Sequence, residues 1–97
     1  MRESTIENYL VRQVERLGGM CFKWVSPGNA GVPDRIVLID RQVCFVELKA
    51  PGKKPRPLQD YVLGKLSDAG YQTCVIDSKE EVDDLLDLMT YDRWLIG

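Results

Sequence analysis

Residues 31–49 read Gly31-Val32-Pro33-Asp34-Arg35-Ile36-Val37-Leu38-Ile39-Asp40-Arg41-Gln42-Val43-Cys44-Phe45-Val46-Glu47-Leu48-Lys49. Arg35 to Ile39 is an apolar run rich in β-branched residues, Asp40-Arg41 is a short turn, and Gln42 to Lys49 alternates, so the stretch predicts a β-hairpin. Side chains alternate along a strand, so Glu47 and Lys49 share one face while Leu48 turns into the other layer. In an antiparallel pair the start of one strand lies beside the end of the next. Asp34, which opens the first strand, is therefore expected next to Glu47, near enough for the two carboxylates to share an ion.

Working outward, the N-terminal side predicts a helix over about residues 4–17. Ile6, Leu10, Val14 and Leu17 recur at helical spacing, Ser4-Thr5-Ile6-Glu7 has the form of a capping box, and Gly18-Gly19 ends the helix. Met20 to Val25 reads as a strand, followed by a loop over 26–33. On the C-terminal side a Pro/Lys/Arg loop spans 50–57, and Leu58, Tyr61, Val62, Leu66 and Ala69 mark a second helix stopped by Gly70. Tyr71 to Ile76 is a fourth strand. Ser78-Lys79-Glu80-Glu81 is a second capping box, opening a helix on Val82, Leu85, Leu86 and Met89. The order α-β-β-β-α-β-α describes a small mixed sheet with helices packed on it, an α/β architecture. Ninety-seven residues predict a single domain, 1–97.

Composition narrows the chemistry. The chain has no histidine, which excludes Ser-His-Asp and Cys-His catalysis and any His-ligated zinc. Cys21, Cys44 and Cys74 are an odd count without CxxC spacing and lie in apolar segments, so they are expected as buried thiols of a reducing cytoplasm. No apolar run approaches the ~20 residues of a membrane span. Hydrolysis must then come from carboxylates and lysines, which favours hard cations bound through oxygen. The net charge of −2 conceals an asymmetry: residues 1–65 carry eleven Lys/Arg against seven Asp/Glu, whereas 66–97 carry two against eight. Two carboxylates and a lysine at one strand end suit Mg²⁺-assisted phosphodiester hydrolysis, the ion polarising the phosphate and acidifying a bound water. The lysine is placed to orient that water and offset transition-state charge.

Gly31-Val32-Pro33-Asp34, then Glu47-Leu48-Lys49, then a proline-flanked basic loop and Gln59 together resemble the virus-type replication-repair nuclease (VRR-Nuc) family, a branch of the PD-(D/E)XK superfamily related to archaeal Holliday junction resolvases. The resemblance runs from the first helix to the fourth strand, and its combination of Gly-x-Pro-Asp, Glu-x-Lys and Gln is specific where Glu-x-Lys alone is weak. It implies the PD-(D/E)XK (restriction endonuclease-like) core α-β-β-β-α-β, followed here by a C-terminal helix. It also implies Mg²⁺, with Mn²⁺ able to substitute, held by Asp34, Glu47 and the backbone carbonyl of Leu48. Lys49 would be the catalytic lysine and Gln59 a site residue on the second helix. A glutamate of the first helix completes the pattern; Glu7 fits that place best, and Glu3 is its rival. The implied activity is a DNA endonuclease selective for branched structures such as Holliday junctions, acting as a homodimer of a stand-alone, phage-like member. A non-catalytic DNA-binding subunit and a partner-dependent restriction-type subunit are the alternatives.

Each residue also has a plainer account. Glu7 is the acidic member of a capping box, Gln59 could simply face solvent in its helix, and Asp34 could be a turn carboxylate. Lys53, Lys54 and Arg56 follow the Glu-x-Lys strand and are expected to contact phosphates, as is Lys23 on the first strand, though solvated loops and edge strands carry such charges too. Trp24 and Trp94 are expected as packing or interface anchors. The apolar segment 89–97 is expected to pack onto the body or onto a second subunit.

Overall fold

The computed structural model describes residues 1–96 of the 97. Its elements are α1 (Glu3–Arg16), β1 (Met20–Lys23), β2 (Arg35–Ile39), β3 (Gln42–Leu48), α2 (Pro57–Asp68), β4 (Gln72–Ile76), α3 (Lys79–Met89) and α4 (Tyr91–Ile96). The strands form one sheet in the order β1-β2-β3-β4, antiparallel between β1 and β2 and between β2 and β3, and parallel between β3 and β4. A parallel neighbour cannot be reached through a tight turn. The chain from 49 to 71 makes that crossover and carries α2. The mixed four-stranded sheet flanked by helices is the expected PD-(D/E)XK-like architecture.

Strand alternation divides the sheet into two unlike faces. Val37, Ile39, Cys44, Val46, Leu48 and Ile76 face α1 and α3 and form the core with Ile6, Leu10, Val14, Val82, Leu86 and Met89. The opposite face carries Ile36, Leu38, Val43, Phe45 and Glu47, and α2 packs over its β4 side. Gly19 joins the first helix to the sheet at short range: a Cβ there would lie 2.7 Å from the Leu38 carbonyl oxygen. The β2–β3 connection is a two-residue turn with both Asp40 and Arg41 at positive φ, +50° and +67°, the geometry that matches strand twist in tight hairpins. The cysteines are free, and burial pushes the Cys21 thiol up to about 11, so it is an inert packing group.

Three expectations change. The capping box at 78–81 forms, with Glu81 N donating to Ser78 Oγ at 3.1 Å and Asp77 N donating to Glu81 Oε1 at 2.9 Å. The one at 4–7 does not, because α1 begins after Arg2 and the Glu7 carboxylate is taken by Arg35. A charge-assisted bond to a guanidinium outcompetes a backbone amide at an exposed helix start. The first strand stops at Lys23, two residues short of Val25. The C-terminal segment is divided at Thr90, whose hydroxyl donates to the Leu86 carbonyl at 2.7 Å, and a short α4 follows α3.

That segment does pack on the body. Met89 and Thr90 are buried, Gln42 Nε2 donates to the Met89 carbonyl at 2.6 Å, and Arg93 bridges Asp40 and the Leu17 carbonyl. Trp94 does not join it and stands 77% exposed. Truncation after Leu88 is therefore expected to lower stability by about 2–4 kcal/mol, chiefly through loss of the Met89 side chain from the core. Thermal denaturation of the truncated chain checks this.

Candidate active site

The Gly-x-Pro-Asp loop is built against the start of α2. Gly31 is buried, and a Cβ added there would fall 2.7 Å from the Leu58 carbonyl oxygen and 2.8 Å from Leu58 Cγ. Only a residue without a side chain permits that approach. Pro33 fills the space behind it, fully buried. Asp34 then emerges where the hairpin opens. Its Oδ2 accepts a hydrogen bond from Leu48 N at 2.8 Å, and its carbonyl accepts one from Trp24 N at 2.9 Å. Asp34 is thus held between strands on both sides, its carboxylate by β3 and its backbone by the residue after β1.

Glu47 lies beside it. The pairing of Arg35 with Val46, continued by one residue, sets Asp34 opposite Glu47 as expected. Glu47 is only 1% exposed, an unusual position for a carboxylate. One oxygen, Oε2, is 3.0 Å from Lys49 Nζ, and the other, Oε1, is buried with no hydrogen-bond partner among the described residues. Burial raises the Glu47 carboxyl above its ordinary range; the Lys49 ammonium pulls against that shift and the Asp34 carboxylate reinforces it. A buried oxygen without a donor is a cost that a folded protein normally avoids. It is relieved by a cation placed between Glu47 and Asp34, so the donor set fits a hard divalent ion with oxygen ligands. Among the described residues no third carboxylate, cysteine or histidine joins the pair, which leaves a backbone carbonyl such as that of Leu48 to extend the set.

Gln59 is buried rather than solvent-facing, at the third position of α2, where its Oε1 accepts from Arg56 N at 2.9 Å. Its side chain therefore fastens the end of the basic loop to the helix. Lys53, Lys54 and Arg56 are all exposed on that loop. Lys53 N closes a turn onto the Ala50 carbonyl at 3.0 Å, and Gly52 N donates to Asp77 Oδ2 at 3.0 Å. Lys49, whose N donates to the Ile76 carbonyl at 2.9 Å, leads directly into this loop.

Glu7 and Lys23 are not brought to the pair. Glu7 Oε2 accepts from Arg35 Nε at 2.8 Å, and Arg35, in register with Val46, lies on the α1 side of the sheet, opposite Asp34 and Glu47. Lys23 pairs with Arg35 across β1–β2 and shares that side. Glu3 is exposed in the first turn of α1. Arg35 and Asp77 are the positioning residues that the sequence analysis does not identify. The arginine's place beside Asp34 in the chain was a visible signal; the role of Asp77 depends on where the loop returns, which no local pattern encodes.

The chain as a whole is similar to known proteins. A protein of Acyrthosiphon pisum secondary endosymbiont phage 1, named "Putative nuclease p44", is 46% identical over 81 residues, spanning 82% of this chain and 87% of the relative. A solved structure described as a "VRR_NUC domain" superposes with a TM-score of 0.81 at 31% identity, over 88% of this chain and 94% of its own. A second, a "VRR_NUC domain protein", gives a TM-score of 0.77 at 18% identity over 94% of this chain and 89% of its own, and supports the fold alone. No protein-family model matches the sequence.

Proposed function

Since the chain belongs to the VRR-Nuc family of nucleases, we propose that it is a metal-dependent DNA endonuclease with Asp34, Glu47 and Lys49 at its reacting centre. The observation that carries this is the buried Glu47 carboxylate, with one oxygen on Lys49, one oxygen without a partner, and Asp34 alongside. Strained, charged and desolvated groups persist where function requires them.

Asp34, Glu47 and the Leu48 carbonyl would hold Mg²⁺ or Mn²⁺, which supplies Lewis-acid polarisation of a phosphodiester and a more acidic water. The rest falls to the chain's own groups. Leu48 N fixes the Asp34 carboxylate at the mouth of the hairpin. Lys49, on the same face as Glu47, keeps an ammonium where negative charge develops on the phosphate oxygens. Gln59 locks the loop end onto α2, holding Lys53, Lys54 and Arg56 on the rim as phosphate contacts that position the backbone without reading sequence. Glu7 acts at one remove, as a positioning residue whose pairing with Arg35 fixes the start of β2 next to Asp34. The acidic residues Glu80, Glu81, Asp83 and Asp84 lie in the first turns of α3 and repel a duplex from that side. Affinity then depends on few cations and falls with added salt.

We further propose branched DNA as the preferred substrate, cut by two copies acting together, since symmetric cleavage of a junction needs two centres related by a two-fold axis. Among the described residues every element belongs to the one sheet-and-helix body, which favours recognition through the DNA backbone over reading of base sequence. A panel of labelled four-way junction, linear duplex and single strand in Mg²⁺ tests this. The expected result is preferential, paired nicking of the junction; equal cutting of all three would remove the structural selectivity, and cutting of none in any divalent ion would remove the nuclease.

A further inference from the structure

The acidic end of the chain takes no part in the chemistry proposed above. Residues 66–97 carry eight Asp/Glu against two Lys/Arg, and both cations are engaged elsewhere: Arg93 pairs with Asp40, and Lys79 Nζ lies 5.2 Å from the centroid of the Tyr9 ring. The same segment supplies an edge of the sheet. β4 pairs with β3 and with no other strand among the described residues. The N–H and C=O of one strand residue point to the same side, and successive residues alternate. Lys49 N donates to the Ile76 carbonyl, so Gln72, Cys74 and Ile76 serve β3, and the backbone groups of Thr73 and Val75 point outward. Edge strands are normally blunted by lysine, proline, a bulge or brevity. The other edge, β1, has four residues and ends in Lys23, whereas β4 has five, Gln72-Thr73-Cys74-Val75-Ile76, with neither charge nor proline. Beside β4 runs a groove of about 250 Å³, lined from the strand by Cys74 and Val75 and from α3 by Glu81, Asp84, Leu85 and Leu88. Leu88 is 69% exposed, and a second hollow continues past it between Asp84, Asp87 and Tyr91, itself 58% exposed. Lys53 and Lys54 approach Glu81 at the Ile76 end, but Asp84 and Asp87 form no ion pair among the described residues.

We infer that β4 and the groove beside it accept an extended, basic segment of a partner protein, added as a fifth strand, with a large apolar side chain over Leu88 and a lysine or arginine opposite Asp84 and Asp87. Strand addition draws its affinity from main-chain hydrogen bonds, here those that Thr73 and Val75 offer, and its specificity from pockets for alternate side chains. The groove supplies such pockets on the α3 side of the edge, apolar at Leu85 and Leu88 and anionic at Asp84. Charge complementarity selects the occupant. Nucleic acid is repelled by the same carboxylates. A second copy is the poorer fit, because pairing two β4 edges about a two-fold axis normal to the sheet sets both α3 helices side by side, acid against acid. A cationic strand removes that repulsion and covers Leu88 and Tyr91 as well. Val75 is in register with Glu47, so the added strand lies two strand spacings from β3, about 10 Å. The partner therefore docks close to the reacting centre without touching it. Docking of this kind requires neither metal nor DNA and is independent of the nuclease activity proposed above.

The probe is an acetylated, amidated peptide, Lys-Val-Lys-Val-Leu-Val-Lys-Val-Lys, which reads alike in either strand direction, with a control in which every lysine is glutamate. Titration of the whole chain by calorimetry gives affinity, and amide hydrogen exchange followed by NMR reports on Thr73 and Val75. The variants are Asp84→Lys and Leu88→Gln, both at exposed positions of α3 where the fold should survive, with circular dichroism as the check; either one serves if the other does not fold. The expected result is binding of the lysine peptide and not of the glutamate peptide, weakened at least about tenfold in either variant. Exchange at Thr73 and Val75 slows at least about tenfold when the lysine peptide is bound. A folded wild type that does not bind the lysine peptide overturns the inference, as does binding indifferent to both substitutions. Binding without slower exchange at Thr73 and Val75 also overturns it, since a loose ionic association would then replace the added strand. Protection of those two amides in the free protein that grows with its concentration would give the edge to a second copy instead. Failure of the wild type to cut DNA would count against the nuclease alone, because none of these readouts involves cleavage.

Discussion

Metal-free Glu47→Gln is expected to melt about 5–10 °C above the wild type at neutral pH and to lose cleavage by about 10²–10³-fold. The wild type buries a carboxylate with one oxygen unpartnered, and such a group costs about 1–3 kcal/mol, more when charged. The amide removes that charge, and its N–H can donate to the adjacent Asp34 while its oxygen accepts from Lys49. The pH dependence follows from the direction of the shift. Burial raises the folded Glu47 carboxyl above its unfolded value, so at low pH both states are protonated and the wild type carries no penalty. The penalty grows as pH rises from the unfolded value through the folded one and is complete above it. The gap between variant and wild type should therefore be small in acid and largest at neutral pH. Divalent ion should narrow it from the other direction by stabilising only the wild type. A Glu47→Gln protein less stable than wild type in metal-free neutral buffer would show that the carboxylate is satisfied in a way the structure does not reveal.

Gly31→Ala carries the second large effect, at a residue that bears no chemistry. Its added methyl would sit 2.7 Å from a backbone oxygen and 2.8–2.9 Å from the Leu58 and Val62 side chains. Because the nearest atom is backbone, the loop and α2 must separate. Overpacking of this kind costs about 1–3 kcal/mol, or roughly 5–15 °C for a domain of this size. The displaced loop carries Asp34 and the displaced helix carries Gln59, so cleavage should fall as well, even at temperatures where the variant is folded. Differential scanning calorimetry alongside an activity assay separates the two losses. Unchanged melting would mean that the loop does not lie against α2 this closely.

The hairpin was legible because its information is local. A β-branched run, a two-residue turn and an alternating strand fix which residues share a face, and from that the neighbourhood of Asp34, Glu47 and Lys49 follows. Elements of the α1 and α3 helices were legible for the same reason, through the spacing of Ile6, Leu10 and Val14 and of Val82, Leu86 and Met89. What escaped depends on partners distant in sequence. Glu7 carries a pattern that caps helices, yet its carboxylate is 28 residues from the guanidinium that takes it. Gln59 looks like any polar residue of a first helical turn until the loop before it folds back. Asp77 gives no sign that it receives Gly52 N from 25 residues away. The packing of α2 over the β4 side of the sheet was invisible for a further reason: alternation tells which side chains face together, but not where a helix arrives to cover them.

The central claim is that Asp34, Glu47 and Lys49 form a metal-dependent phosphodiesterase. It is tested most directly by cleavage of an end-labelled DNA duplex in Mg²⁺, Mn²⁺ and EDTA, with wild type and Lys49→Ala matched for folding. The expected result is cutting in either divalent ion, none in EDTA, and a loss of about 10²–10⁴-fold in Lys49→Ala. Cutting that persists in EDTA, or that survives the lysine substitution undiminished, would contradict the assignment of chemistry to this cluster.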